Sequence, residues 1–326
     1  MENKVKNNLL DSLHSVLSKN VLGDKQYESR YKGFIGELSF QEWLSNYRGS
    51  ATVFTGGYLL PRTVGSRSIE QPIYFTISPD SPQEYIQIYN YLNHLPCDSM
   101  YFINWNNEVS FSRWHSYEDV LEGVTLQVPD FNVFKFDPSN LNFISIPFNE
   151  FLDLFPLKRN RTPSRAIPPS VIQKWHKKLS NYEYKHVLDL YVQRLIFDGY
   201  IGYSREHGIP SDIDAIIYSE KLKTYALLEI KEKDKSKRPP QGFGMDVERI
   251  TDLSKLKSSI GLPIYYIVRH IDNQKDRNFL SWKIIELDNF KKNLAKSTIQ
   301  GGSGMGFENG QYPTQICPYE YFKDLK

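Results

Sequence analysis

Two short runs constrain this chain more than anything else in it: Ser211-Asp212-Ile213-Asp214-Ala215-Ile216-Ile217-Tyr218 and Thr224-Tyr225-Ala226-Leu227-Leu228-Glu229-Ile230-Lys231. Both are apolar and rich in Ile, Leu and Tyr, and the polar Ser219-Glu220-Lys221-Leu222-Lys223 between them reads as the turn of an antiparallel hairpin. A hairpin symmetric about Lys221 and Leu222 sets Asp214 opposite Glu229 and Asp212 opposite Lys231. Side chains alternate faces along a strand, so Asp212 and Asp214 share one face, as do Glu229 and Lys231. Directly opposed residues have Cβ atoms ~4.5–5.5 Å apart, which gathers three carboxylates and one ammonium into a single patch. Carboxylates that close resist ionising together unless a cation sits among them, and hard oxygen ligands favour Mg²⁺ or Mn²⁺. Lys231 is then placed to orient a water or steady a developing negative charge, which is chemistry suited to a phosphodiester.

An Asp, a turn, then Glu-x-Lys at the end of the next strand resembles the PD-(D/E)XK nuclease superfamily, which includes restriction endonucleases and junction resolvases. The matching positions are Asp214 and Glu229-Ile230-Lys231, with Pro210 and Asp212 just ahead. The element order around them adds to the likeness. Asn181 can cap a helix over 182–198 striped by Leu188, Val192, Leu195 and Ile196, and Tyr200–Tyr203 reads as a short strand before the hairpin. After it, Val247, Ile250, Leu253 and Leu256 predict a helix closed by Gly261, and 263–268 and 279–287 read as strands. The resemblance implies an α/β fold with a restriction-endonuclease-like αβββαβ core, metal held by Asp214 and Glu229, water served by Lys231, and Asp212 as a supporting acid. Many members also carry an acid on the first helix, a role that falls on Asp189, with Gln193 one turn away. The implied activity is metal-dependent hydrolysis of DNA, of restriction, defence or mobile-element type, and similar enzymes often cut as homodimers.

Composition sets the outer bounds. At 326 residues, 40% hydrophobic and 24% charged, the chain is long enough for two cores. Cys97 and Cys317 are too few and too far apart for a disulfide framework, and no apolar run approaches the ~18 residues that span a bilayer. These features lead to the expectation of a cytoplasmic protein with no membrane partner. A net charge of +2 says little about a nucleic-acid partner, so position must carry that argument. Lys158, Arg159, Arg161, Arg165, Lys174, Lys177 and Lys178 fall in one stretch free of acids, a run suited to DNA phosphates. Lys233, Lys235, Lys237 and Arg238 follow the Glu-x-Lys strand, diluted by Glu232 and Asp234.

The Pro-rich, basic stretch gives the expected division: an N-terminal α+β domain over 1–156 that selects substrate, a linker over 157–170, the nuclease-like domain over 171–295 and a Gly/Tyr-rich tail over 296–326. In the first half, helices are expected over 8–22 and 31–47 and strands over 51–60 and 72–77, the first of these interrupted at Gly56-Gly57. The Asn and Arg residues that flank Trp105, Phe111 and Trp114 could read base edges or be loop residues over a core. Two rival readings remain open: a non-catalytic DNA-binding or assembly subunit on the same fold, and a nucleotide-sugar transferase using Asp212-Ile213-Asp214 as an Asp-x-Asp triplet.

Overall fold

The structure, a computed structural model, describes residues 2–19, 21, 23–47, 51–60, 72–121, 123–155, 166–202, 211–237, 239–300 and 313–325. In chain order its elements begin α1 (Glu2–Ser18), α2 (Asp24–Asn46), β1 (Ala51–Leu60), β2 (Ile73–Ser78), α3 (Ile86–Leu92), β3 (Ser99–Trp105), β4 (His115–Leu121), β5 (Val124–Val128), β6 (Phe131–Asp137) and β7 (Asn142–Ile146). They continue α4 (Phe148–Leu152), α5 (Pro169–Leu179), α6 (Tyr184–Arg194), β8 (Ser211–Ser219), β9 (Thr224–Lys233), β10 (Gly242–Asp246), α7 (Val247–Ile260), β11 (Ile264–Ile271) and β12 (Phe279–Glu286). Last come α8 (Leu287–Lys292), β13 (Thr298–Gln300), β14 (Pro313–Pro318) and β15 (Lys323–Asp324). The chain is therefore mixed α/β. Internal contacts divide it into two units, neither continuous in sequence: Met1–Glu28 with Gly57–Asp212, and Ser29–Gly56 with Ile213–Lys326. The linear division expected at 157–170 is a different one, because Ser29–Gly56 packs with the C-terminal half; residues 156–165 lie outside the described residues.

In the first unit, β2 pairs parallel with β3, and β6 and β7 extend that sheet antiparallel. The stripe Leu9, Leu10, Leu13, Val16 and Leu17 is fully buried and makes α1 a core helix. The Lys6 ammonium donates to the carbonyls of Ser180 (2.7 Å) and Tyr182 (2.5 Å), groups that the end of α5 leaves without helical partners. Trp105, Phe111 and Trp114 are core residues: all are buried, and Trp114 Nε1 donates to the Val109 carbonyl at 2.9 Å. The expected strand over Tyr200–Tyr203 is absent where described, since Leu195–Tyr200 instead continues α6 as a π-helix. Arg194 explains this local choice. Its guanidinium reaches the fully buried Asp198 at 3.3 Å and stacks on Phe197, holding the chain wound through Gly199.

A histidine pair lies where α1 and α5 meet. His14 Nδ1 is 2.9 Å from the Tyr27 hydroxyl, and its ring meets that of His176 edge-on at 6.2 Å. Burial, and for His14 the neighbouring His176, hold both imidazoles below their ordinary value of 6.5; Asp11 opposes the shift at each. A histidine depressed in the folded state takes its proton more readily when unfolded. Stability is thus complete above pH 6.5 and is lost as pH falls from there through the folded values. Denaturation midpoints measured from pH 7.5 down to pH 5 are expected to fall, and the fall should be shallower in His14→Phe and His176→Phe; equal slopes would refute the assignment.

The second unit takes its opening helix and strand from Ser29–Gly56, not from 182–203. Its sheet runs β15-β12-β11-β9-β8 and then the first half of β1. β8 and β9 are antiparallel, β9 and β11 parallel, and β11 and β12 antiparallel. Phe40 of α2 covers one face, packing on Ala215, Leu228, Ile230, Ile267 and Trp282, with its ring 5.3 Å from that of Trp282. On α7, Ile250, Leu253 and Leu256 of the expected stripe are buried, Val247 is only half-buried and Ile260 is buried as well, and Gly261 closes the helix in the left-handed region at φ 71°. The tail is part of this unit. β14 joins β10 and β13, β15 pairs with β12, and Ile316, Cys317 and Phe322 are buried; residues 301–312 of the tail lie outside the described residues.

β1 runs through Gly56-Gly57 without interruption. Glycine is needed at 56 because another backbone comes too close for a side chain: a Cβ there would stand 1.7 Å from the Ile213 carbonyl oxygen. Ile213 lies between Asp212 and Asp214, so Gly56→Ala must push back the strand that bears both acids. The expected cost is about 1–3 kcal/mol, read as a lower urea midpoint, since inserted atoms in a closed backbone contact are paid for in strain. An unchanged midpoint would show that the approach is looser than described.

Candidate metal and phosphate site

The hairpin forms in the expected register. Ala215↔Leu228, Ile216↔Leu227, Ile217↔Ala226, Tyr218↔Tyr225 and Ser219↔Thr224 all fit the symmetry about Lys221 and Leu222. Ser219 pins the turn: its carbonyl accepts from the Lys223 N–H at 2.7 Å, its hydroxyl from the Leu222 N–H at 3.2 Å, and Lys223 adopts φ 52°. Beyond Ala215 the Asp214 side chain enters the strand-strand contact itself. Its Oδ2 accepts from the Ile230 N–H at 2.6 Å, which fixes the carboxylate against β9.

The acids converge. One oxygen from each of Asp212, Asp214 and Glu229 lies within 4.8 Å of the others. Lys231 Nζ is 3.3 Å from Asp214 Oδ2 and 2.9 Å from Glu229 Oε1. The latter is an ion pair without the directional geometry of a hydrogen bond. The Lys231 ammonium reaches both Asp214 and Glu229, because the Asp214 carboxylate turns inward onto β9. The side chains of Asp214 and Glu229 are only 2% and 1% exposed, so these charges interact through little solvent.

A residue that sequence reasoning missed adds a second cation. Arg249, in the first turn of α7, pairs through Nη2 with Glu229 Oε2. The positive end of a helix dipole disfavours a cation there, so an Arg in a first turn calls for an anionic partner; that is the signal the sequence did carry. Glu229 therefore meets a cation at each oxygen, from Lys231 and Arg249.

The donor set fits a hard divalent ion. Ligands on opposite sides of Mg²⁺ lie ~4.1 Å apart, given bonds of ~2.0–2.1 Å, so oxygens within 4.8 Å need shift only slightly to share one. Arg249 would have to yield Glu229 Oε2 if that oxygen were used.

The other sequence candidates fall elsewhere. Asp189 belongs to α6 in the first unit, where burial and then the nearby Asp80 push its carboxyl up to about 7, against the pull of Lys185; it is not one of the clustered oxygens. Lys174, Lys177 and Lys178 lie on α5, and Lys174 is engaged by Glu28 at 2.6 Å. Lys174 and Lys178 also sit 5.1 Å from the centre of the Trp175 ring, and Lys177 is exposed. Lys158, Arg159, Arg161 and Arg165 lie outside the described residues, as does Pro210. No helix among the described residues is long and apolar enough to cross a membrane. No protein-family model matches the sequence, and comparison with characterised proteins and with solved structures finds no match.

Proposed function

We propose that the chain is a metal-dependent endonuclease that hydrolyses DNA phosphodiester bonds through Asp214, Glu229 and Lys231. One observation carries the reading: two acids and a lysine from adjacent strands meet on one face at ion-pair distance, with Asp212 completing an oxygen group of cation-binding size. The order in the second unit also supports it: α2, the first half of β1, β8, β9, α7 and β11 come in the order of a restriction-endonuclease-like core, with β10 inserted between β9 and α7.

Asp212, Asp214 and Glu229 would hold Mg²⁺ or Mn²⁺, which would supply the Lewis acidity that a phosphodiester needs. The chain's own groups do the positioning. Asp214 is fixed by the Ile230 N–H, and the Lys231 ammonium is held beside both acids. That ammonium serves to orient the attacking water and to balance charge that builds on the phosphate oxygens. Water adds to phosphorus, one P–O ester bond breaks, and the proton released by the water passes to the departing oxygen through solvent.

Arg249 favours a second reading. If its guanidinium stays on Glu229, the acid is already neutralised, and the fold would serve as a DNA-binding subunit without turnover. Supercoiled plasmid incubated with Mg²⁺ or Mn²⁺ decides between them. Nicking that EDTA abolishes supports the nuclease; metal-independent binding without nicking supports the subunit.

A further inference from the structure

Of the three cations nearest this cluster in sequence and space, two are committed. Lys231 holds Asp214 and Glu229, and Arg249 holds Glu229. The third is Lys233, two residues beyond Lys231 and hence on the same face of β9, with Cα atoms ~6.6 Å apart. No hydrogen bond or ion pair reaches its ammonium among the described residues. The acids that attract it from a distance are occupied: Asp246 accepts from the Thr314 hydroxyl at 2.8 Å, and Asp234 from the Gln274 side-chain amide at 2.6 Å.

We infer that Lys233 is a substrate-binding residue whose ammonium takes a non-bridging oxygen of the DNA phosphate brought to the site. The inference rests on the nuclease reading for the identity of the anion. Lys233 is half-buried, and an ammonium partly withdrawn from water without a counter-charge is costly; a phosphate oxygen provides both the charge and the acceptor that the fold withholds. The electrostatics agree with the geometry. Burial, with Lys231 adding to it, holds Lys233 below the usual lysine range against the attraction of Asp246, Asp234 and Glu229, which is the state of a cation short of anions. Lys231 and Lys233 then divide the work, one held by the acids and the other available to the substrate.

The test compares wild type with Lys233→Met, which keeps an apolar stem, and Lys233→Arg, which keeps the charge. Binding to a duplex oligonucleotide is followed by fluorescence anisotropy in Ca²⁺, and Mn²⁺ binding by calorimetry. Lys233→Met should bind the duplex about tenfold more weakly, the scale of one charge-assisted hydrogen bond, with the salt slope reduced by about 1. Mn²⁺ affinity should not fall, and Lys233→Arg should recover most of the loss. Duplex binding and salt slope equal to wild type in Lys233→Met would overturn the inference. Wild type that binds but never cuts would sink the nuclease reading while leaving this comparison intact. If wild type does not bind duplex at all, inorganic phosphate takes its place: protection against thermal unfolding in wild type but not in Lys233→Met supports the oxyanion site, and equal protection refutes it.

Discussion

Lys231→Ala is expected to lower the turnover of plasmid nicking by about 10²–10³-fold, the loss typical when one fixed donor to a developing anion is removed. The same change should leave divalent binding intact or tighten it. In the folded chain the Lys231 ammonium stands 2.9 Å from Glu229 and 3.3 Å from Asp214, so it competes for the oxygens that a metal would use. Removing it takes a positive charge from the cluster and raises its affinity for another. A merely structural lysine would behave differently: its loss would weaken metal binding and stability together. Calorimetry with Mn²⁺ on the variant, beside its nicking rate, separates the two roles. Normal nicking by Lys231→Ala would exclude the proposed chemistry. Asp214→Asn is the complementary control, since it keeps an oxygen facing the Ile230 N–H while removing charge, and it should lose metal binding as well as turnover.

The site was legible because its parts are neighbours in sequence. Hairpin pairing is set by the turn, and Ser219 and Lys223 form a turn that allows one register, so the juxtaposition of Asp214 with Glu229-Ile230-Lys231 follows from counting. Helix α7 was legible for a similar reason, having a periodic stripe and a glycine stop. What supports the hairpin was not. The helix and strand that complete its unit lie before Gly57, and no local pattern reveals that a segment as long as Gly57–Asp212 intervenes. A helical stripe at 182–198 fitted the expected place equally well because periodicity reports amphipathicity and not the partner. Charge was misread where it was buried. Glu232 appeared to dilute a basic tail, yet its side chain is only 1% exposed; Lys231-Glu232-Lys233 alternates between two faces, and each face has a different chemistry.

That buried acid leads to the largest expected effect on stability. Glu232 points to the face opposite Lys231 and is held between two arginines: Arg269 Nη1 lies 2.6 Å from Oε2, and Arg277 Nη2 pairs with Oε1. Arg269 is its direct neighbour on β11, while Arg277 comes from the loop that joins β11 to β12 and adopts φ 59°, a conformation that costs a non-glycine residue about 1–2 kcal/mol. The loop is fastened by Asp272, whose Oδ1 accepts from the Asn273 and Asn278 N–H groups at 2.6 and 2.9 Å. Glu232 thus ties β9, β11 and the loop at one point. Glu232→Gln preserves shape but leaves two guanidiniums, 14% and 7% exposed, facing each other without an anion. Breaking one side of such a buried network costs about 3–5 kcal/mol, a large part of the ~5–15 kcal/mol that holds a domain folded. Chemical denaturation should show a loss of that size. Replacing all three charges with apolar residues, Glu232→Met with Arg269→Leu and Arg277→Leu, should recover much of it, because the penalty comes from stranded charge more than from a missing attraction. A Glu232→Gln variant as stable as wild type would mean that water reaches the arginines; a triple variant no better than the single one would mean that the network's contribution is in its hydrogen bonds.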